Sequence, residues 1–304
     1  MHITINKKTI SLLLIIVLIS GKIFSYELFF SGEELLFFLN QKLNSSKSIK
    51  LVSFSLDNTI SDGISKINHE IFLEKDGGYS GDIPLSITYD KNYDGYLHQK
   101  FIIFDNNSIL FGTGNFTKSG LKEDFNIFIY TEDMNIVAVF LKEFSNFRNG
   151  KFGNNKKIVK ENLRNTDMGN IEIITGPSEE IYKTVLKKVS TAKESIKLFS
   201  YSFTDPYFIQ KLEKLSSKNI CIQIISDDWN KIYNSPLIFM MGIDIKYRND
   251  IHAKCLTIDN EITIIGSYNL TYRAREKNDE VVVIINNRGI ADTINAKFDL
   301  LWQE

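Results

Sequence analysis

The chain has 304 residues, 43% of them hydrophobic and 24% charged, an ordinary balance for one large globular domain or two of about 150 residues. Its net charge of -1 excludes the global positive field that holds a protein constitutively on nucleic acid or on an anionic membrane. A local basic cleft stays compatible with this charge balance.

The first 25 residues have a composition of their own. Lys7 and Lys8 precede an apolar run over residues 10–19, which small residues follow. This order is typical of a secretory signal peptide, and the run is shorter than the roughly 20 apolar residues of a membrane-spanning helix. An anchor over residues 10–24 that is not cleaved remains the alternative. Both interpretations predict an exported protein, which is secreted, periplasmic or held at the cell surface.

The cysteines and histidines are too few to define the fold or a metal centre. Cys221 and Cys255 lie in apolar runs typical of strands, which predicts two buried thiols rather than a disulfide. The four histidines occur without the CxxC or HExxH spacing of zinc sites. We therefore expect no metal and no cofactor.

The sequence contains two copies of one unit. SIKLVSFSL, which begins at Ser48, recurs as SIKLFSYSF from Ser195, and a helical pattern with an acidic start precedes each copy. Short apolar runs precede those helices (YELFF and IEIIT), and others follow later in each unit (NIFIY and VVVII) before a last helix. Strands that alternate with helices predict an α/β layered fold, built here twice.

The repeat also predicts the domain boundaries. A signal peptide over residues 1–25 is followed by a first unit over 26–147, a linker over 148–168 and a second unit over 169–304. The joint contains Gly, Asn and six Lys or Arg against one Glu, without an apolar period. We expect a solvated linker there, a role that is compatible with gripping an anionic substrate.

The two units differ upstream of their histidines. Residues 68–96 of the first unit are rich in Gly, Asp and Tyr, whereas the second unit has a clear strand and turn, NICIQIISDDWN. The first unit is therefore predicted to carry an irregular loop, and loops of this kind often form the mouth of a substrate site.

One polar constellation recurs in both units. Residues 97–115 (LHQKFIIFDNNSILFGTGN) and 251–269 (IHAKCLTIDNEITIIGSYN) both fit H-x-K-x4-D-x6-G-[ST]-x-N. Residues two apart share one face of a strand, so each histidine projects beside its lysine, and the turn returns a hydroxyl and a carboxamide. Each unit thus offers a cup of hydrogen-bond donors that suits an anionic tetrahedral group.

Both segments match the HKD signature of the phospholipase D superfamily, which the chain resembles over nearly everything after the signal peptide. The resemblance implies two tandem α/β sandwich repeats that form a pseudo-dimer around one central active site. It also implies phosphodiester cleavage without metal through a covalent phosphohistidine. One histidine attacks phosphorus, and the other protonates the leaving oxygen and then activates water or an alcohol.

The resemblance implies a role for each position of the motif. The residues implied to bind the non-bridging oxygens or to support them are Lys100, Lys254, Asn115, Asn269, Thr113 and Ser267. The residues implied to hold the motif strand and turn, without a part in the chemistry, are Asp105, Asp259, Gly112 and Gly266.

The units also differ eleven residues past the motif asparagine, where members of this family often carry Glu. The second unit has Glu280 there, and the first has Asn126. A carboxylate beside His252 raises the pKa of that histidine, as a general acid requires, and an amide oxygen beside His98 accepts its Nδ1 proton and leaves the ring neutral. We therefore predict His98 as the nucleophile and His252 as the general acid and base. Decay of the first unit is the alternative interpretation of Asn126.

The mechanism is better determined than the substrate, because phospholipases, phosphatidyl-transferring synthases and nucleases of this family share the same cups. Export, near-neutral charge and 22 Phe favour hydrolysis or transfer of phospholipid headgroups, with aromatic residues between 79 and 96 as a candidate membrane contact. A compact chain and a basic linker favour the alternative, a secreted endonuclease. A catalytically silent protein that binds phosphate or lipid is the third interpretation. No obligate protein partner is implied.

Overall fold

The computed structural model describes residues 26–92 and 94–304, so the predicted signal peptide or anchor lies outside the described residues. Within those two ranges, no helix is long and apolar enough to cross a membrane. The strands of the first unit are β1 (Tyr26–Phe30), β2 (Ser48–Ser53), β3 (Asn68–Leu73), β4 (Ile87–Tyr89), β5 (Phe101–Phe104), β6 (Ser108–Gly112) and β7 (Ile127–Thr131). Its helices are α1 (Glu33–Ser45), α2 (Asn58–Ser65), a π-helical turn (Ser119–Glu123) and α3 (Met134–Arg148).

The second unit follows a 3₁₀ turn (Gly153–Asn155). Its strands are β8 (Lys160–Thr166), β9 (Gly169–Thr175), β10 (Ser195–Ser200), β11 (Cys221–Asp227), β12 (Asp244–Arg248), β13 (Lys254–Ile258), β14 (Ile262–Gly266) and β15 (Val281–Asn286). Its helices are α4 (Glu179–Val189), α5 (Pro206–Ser216), α6 (Trp229–Ile232), a 3₁₀ turn (Pro236–Phe239), α7 (Tyr272–Glu276) and α8 (Arg288–Gln303).

The two units form one mixed sheet each. The first sheet has the order β1-β7-β6-β5-β2-β3-β4, and the second has the order β12-β11-β10-β13-β14-β15-β9-β8. The repeated SIKL strands β2 and β10 occupy matching places, because each pairs in parallel with one neighbour and antiparallel with the other. The predicted α/β fold, built twice, is confirmed.

The apolar faces of both sheets meet in one shared core. This cluster contains strand residues of both units together with the buried faces of α3 and α8. Phe140 of α3 packs on Phe101, and Phe298 of α8 packs on Phe199, with ring centroids 5.1 and 4.9 Å apart. On the outer faces, α1 and α2 cover the first sheet and α4 and α5 cover the second. The two units therefore pack as a pseudo-dimer within one chain.

The segment predicted to be a solvated linker is partly ordered and partly buried. Lys160–Thr166 forms β8, which pairs antiparallel with β9 at the edge of the second sheet. Lys156 is buried between Glu143 and Asp279. The prediction was wrong here because an edge strand with exposed polar side chains lacks an apolar period.

Two further expectations differ from the structure. Residues 68–96 are not irregular throughout, because β3 and β4 lie within them and pair in parallel with each other, as β11 and β12 do. The irregular parts flank the short strand β4. Cys255 is a buried free thiol, as expected, but Cys221 at the start of β11 is exposed.

Candidate active site

The two HKD segments lie where the units touch through their backbones. The amide of His98 donates to the carbonyl of Asp279 at 3.0 Å, and the amide of His252 donates to the carbonyl of Phe125 at 3.1 Å. Each histidine is therefore tied to the segment of the opposite unit that carries Glu280 or Asn126 one residue later.

Each histidine consequently bonds a side chain of the other unit. Nδ1 of His98 lies 2.9 Å from Oε2 of Glu280, and Nδ1 of His252 lies 3.1 Å from Oδ1 of Asn126. The predicted pairing within each unit is wrong. The spacing in the sequence identified the two side chains that bond the histidines. The backbone hydrogen bonds between the units, however, place each of these side chains beside the histidine of the opposite unit.

Glu280 is an ionised carboxylate in a fully buried position. Burial by itself raises its pKa, but the charge and hydrogen bond of His98, together with Lys100, bring that pKa below its usual value. Asn278 Nδ2 donates to Oε1 at 3.0 Å, and the Ser267 hydroxyl donates to Oε2. The carboxylate is therefore fixed in position to accept the Nδ1 proton of His98.

Asn126 holds His252 through a neutral oxygen. Its Nδ2 donates to the carbonyl of Gly120 at 3.0 Å, so its Oδ1 faces the histidine, and the Thr113 hydroxyl donates to the same oxygen at 2.8 Å. This pattern assigns the Nδ1 proton to His252 and leaves Nε2 free. Thr113 thus corresponds to Ser267, and both hydroxyls support the partner of a histidine.

The two lysines turn back onto their own histidines. Lys100 donates to the carbonyl of His98, and Lys254 donates to the carbonyl of His252 at 2.5 Å, with its Nζ 3.1 Å from Nε2 of that ring. Burial lowers the pKa of Lys100 to about 7 and that of His98 to about 4, and it holds the pKa values of Lys254 and His252 well below their usual ranges. Four basic groups packed together without enough counter-charge favour the binding of an anion among them.

The motif asparagines supply further polar groups without a partner. Among the described residues, the carboxamide oxygens of Asn115 and Asn269 are buried and accept no hydrogen bond. Because amide oxygen and nitrogen are interchangeable by a side-chain flip, these positions offer either donors or acceptors to a bound group.

A family model described as the cardiolipin synthase, PLD-like domain matches residues 41–148 and 185–302, which is more than half of the chain. The chain belongs to this phospholipase D-like family. The resemblance seen in the HKD motifs is confirmed.

The curated relatives agree with this assignment, and a solved structure shares the fold. Mitochondrial cardiolipin hydrolase of Mus musculus is 25% identical over 133 residues, covering 42% of this chain and 60% of the relative. Phospholipase D of Rickettsia bellii is 26% identical over 144 residues, covering 45% and 71%. The chain thus spans less than two thirds of the mouse relative's length. The crystal structure of phosphatidylserine synthase of Haemophilus influenzae shares the fold, with a TM-score of 0.65 and 12% identity over 90% of this chain and 84% of that one.

The aspartates of both HKD motifs lie in turns and bond to backbone. Asp105 accepts from the amides of Lys47 and Ser48 at 2.9 and 2.8 Å, and Asp259 accepts from three consecutive amides, 193–195, at 2.9 Å. Both aspartates have positive φ, 48° and 52°. Their contacts therefore tie the turn after the motif strand to the start of the neighbouring strand.

The motif glycines allow two strands to approach closely. A Cβ at Gly112 would lie 2.4 Å from the carbonyl oxygen of Ile127, and one at Gly266 would lie 2.1 Å from that of Val281. Only glycine fits there. The hydroxyl residue that follows each glycine consequently reaches Asn126 or Glu280, which directly precede β7 and β15.

An aromatic ring packs beside each histidine, and the sequence reasoning missed both. The ring of Phe54 lies 5.8 Å from that of His98, and the ring of Tyr201 lies 4.8 Å from that of His252. The signal was present, since these residues occupy the same position in the segments VSFSL and FSYSF, which follow the repeated SIKL.

A second buried network supports the site and was also missed. Lys156 pairs with Glu143 and lies 2.7 Å from Oδ1 of Asp279, while Gln99 donates to Glu143 at 2.6 Å. Asp279 precedes Glu280 and accepts the amide of His98. No feature of the sequence distinguishes Lys156 from the other basic residues of its segment. Among the described residues, no group of three or more His, Cys, Asp or Glu is placed to hold a metal ion.

Proposed function

We propose that the chain cleaves the phosphodiester of phospholipid headgroups, by hydrolysis or by transfer to an alcohol, through a covalent phosphohistidine and without a metal. The observation that supports this most directly is the crossed pair of histidines, each held at Nδ1 by the other unit and accompanied by a buried lysine. Burial lowers the pKa of His252 most, and the charges of Lys254, Lys100 and His98 lower it further, which is consistent with one shared reaction centre.

His98 is the proposed nucleophile, on an argument that differs from the one based on spacing. An imidazole that carries a phosphoryl group keeps its Nδ1 proton and stays cationic until the intermediate is resolved. An ionised carboxylate therefore stabilises this ring throughout, and Glu280 supplies it at His98. His252 faces the neutral Asn126 oxygen, which makes its imidazolium a stronger acid.

The proposed reaction proceeds in two displacements. His252 takes up a proton at Nε2 when the substrate binds, because the negative charge of the phosphodiester raises the pKa that burial and the nearby lysines lower in the free protein. Nε2 of His98 then forms a bond to phosphorus while the bond from phosphorus to the headgroup oxygen breaks, and the Nε2 proton of His252 passes to that oxygen. His252 then takes a proton from water or an alcohol, whose oxygen bonds to phosphorus as the bond to His98 breaks. The two lysines and the two motif asparagines bind the non-bridging oxygens in this proposal.

A lipid substrate has the support of the family description and of the relatives named above. The basic linker gives a nuclease less support than the sequence suggested, because Lys156 and Lys160 are both paired with carboxylates. Export, which rests on the composition of residues 7–24, is part of the same proposal.

The test is an assay of the purified chain in EDTA on phosphatidylcholine vesicles, cardiolipin vesicles and plasmid DNA. We expect release of the lipid headgroup, lost in His98→Ala and retained in the matched control His69→Ala, because His69 bonds only to backbone groups outside the site. DNA cleavage without lipid cleavage would favour the endonuclease. Vesicle binding without any activity, unchanged in His98→Ala, would favour the silent binding protein.

A further inference from the structure

A short segment after β11 exposes a cluster of large apolar side chains. Ile232, Tyr233, Phe239 and Met241 are 70%, 64%, 73% and 79% exposed. We name these four side chains the apolar tip. Elsewhere in the described residues, exposed large apolar side chains are spread singly along the chain. A cluster of this kind on a soluble surface usually marks a contact with another phase or molecule.

Two polar side chains of the segment are buried, whereas four of its large apolar side chains are exposed. Asn230 is fully buried, accepts from the amide of Phe203 at 2.9 Å and donates to the carbonyl of Tyr201 at 2.7 Å. Ser235 is also buried and donates to the carbonyl of Phe203, and Leu237 is buried in the outer core of the second unit. These polar bonds hold the backbone firmly while the apolar tip faces solvent.

An aromatic column joins the apolar tip to the reaction centre. The ring of His252 lies 4.8 Å from that of Tyr201, which lies 6.2 Å from that of Trp229, and Trp229 lies 4.9 Å from Tyr233. A molecule or surface that covers the apolar tip is therefore continuous with the site that holds the phosphodiester.

The balanced charge around the apolar tip is compatible with a membrane surface that carries no net charge. Lys231 lies 4.3 Å over the ring of Tyr247 and 3.6 Å from Asp228, so its charge is already compensated. The polarity of the side chains follows that of a membrane interface. The amphipathic Trp and Tyr lie nearer the site, and the fully apolar Ile, Phe and Met lie farther from it. The counterpart in the first unit offers the partly buried Tyr79, whose hydroxyl donates to the carbonyl of Ile83.

We propose that the apolar tip enters the outer layer of a phospholipid membrane and so brings His252 to the level of the headgroups. The inference rests on the proposed phospholipid substrate. It moves the membrane contact from residues 79–96, where the sequence suggested it, to the second unit. Because the local charge is balanced, binding should occur on zwitterionic vesicles and persist at high salt.

The test follows Trp229 in a Trp302→Phe background, which leaves one tryptophan in the chain. Vesicles of brominated phosphatidylcholine should quench its fluorescence. Adding Phe239→Ser and Met241→Ser should lower the vesicle partition coefficient about tenfold or more, because two exposed apolar side chains no longer enter the lipid. The matched control, Phe37→Ser with Leu300→Ser, removes two exposed apolar side chains of α1 and α8 and should bind as the background does.

Several outcomes would overturn the inference. The first is that the lipid does not quench Trp229 fluorescence, and the second is that both double variants bind vesicles equally well. The third is that the protein does not bind vesicles but forms a dimer in sedimentation equilibrium, which Phe239→Ser with Met241→Ser dissociates. This experiment measures vesicle binding and not lipid cleavage, so failure of the inference can be distinguished from failure of the proposed function. Binding through the apolar tip without lipid cleavage would overturn the function alone, whereas lipid cleavage with binding insensitive to the two serines would overturn the inference alone.

Discussion

At the scale of single residues, the proposed division of labour between the histidines depends on one functional group. Glu280 and Asn126 occupy equivalent places, and each receives a hydroxyl hydrogen bond, from Ser267 and Thr113. One is an ionised carboxylate and the other a neutral amide, so the two otherwise similar rings differ in how well they hold positive charge.

This difference predicts which histidine becomes phosphorylated. With bis(p-nitrophenyl) phosphate, the leaving group needs no protonation, so His252→Ala should give a burst of p-nitrophenol and then stall with the phosphoryl group on His98. His98→Ala should give no burst. Mass spectrometry of the alkali-quenched protein locates the adduct, and an adduct on His252 in the wild type would reverse the assignment.

The pKa values of the free protein predict a bell-shaped pH dependence. His98 must be neutral to attack, so kcat/KM should fall as the pH drops through its pKa of about 4. Lys100 must be charged to bind the anion, so kcat/KM should fall again as the pH rises through its pKa of about 7. Both shifts result mainly from burial. Bis(p-nitrophenyl) phosphate is the substrate for this measurement, because it avoids membrane effects and its leaving group needs no proton from His252, whose own pKa is lowered. A profile that stays flat through either pKa would contradict this account.

At the scale of elements, the segment between the units is part of the support of the site. β8 extends the second sheet, and Lys156, just before it, is buried between Glu143 and Asp279. Asp279 in turn accepts the amide of His98. An element that the sequence indicates to be a spacer thus supports the segment that carries Glu280, just before β15.

Removing the Lys156 charge should destabilise the whole fold. Lys156→Met leaves Glu143 and Asp279 buried without their cation, and a broken buried pair costs about 3–5 kcal/mol of unfolding free energy. Urea denaturation measures this loss. The adjacent, exposed Lys157 is the matched control, and Lys157→Met should change the unfolding free energy by about 0.5 kcal/mol or less. Equal effects of the two substitutions would show that the buried network contributes nothing.

At the scale of the whole molecule, the duplicated units are interdependent and have diverged. Neither unit contains both a histidine and the side chain that bonds its Nδ1, because that side chain comes from the other unit. The first unit has the carboxylate-held His98, and the second has the apolar tip beside His252. One chain therefore combines a symmetric scaffold with an asymmetric site.

The sequence by itself determined the repeat, the α/β fold and the residues of both HKD motifs. Alternation of apolar runs and the spacing of typed residues are local properties, which a strand or a turn expresses wherever it is placed. For the same reason, the helix that the sequence indicated before each SIKL strand and the last helix of each unit occur where they were expected.

The tertiary structure alone decided which groups meet. His98 and Glu280 are 182 residues apart, and whether they pair within a unit or across the two depends on how the units dock. The burial of Lys156 and the aromatic column from His252 to the apolar tip depend on the same docking. Contacts between distant segments leave no period in the sequence, because they result from the packing of complete sheets.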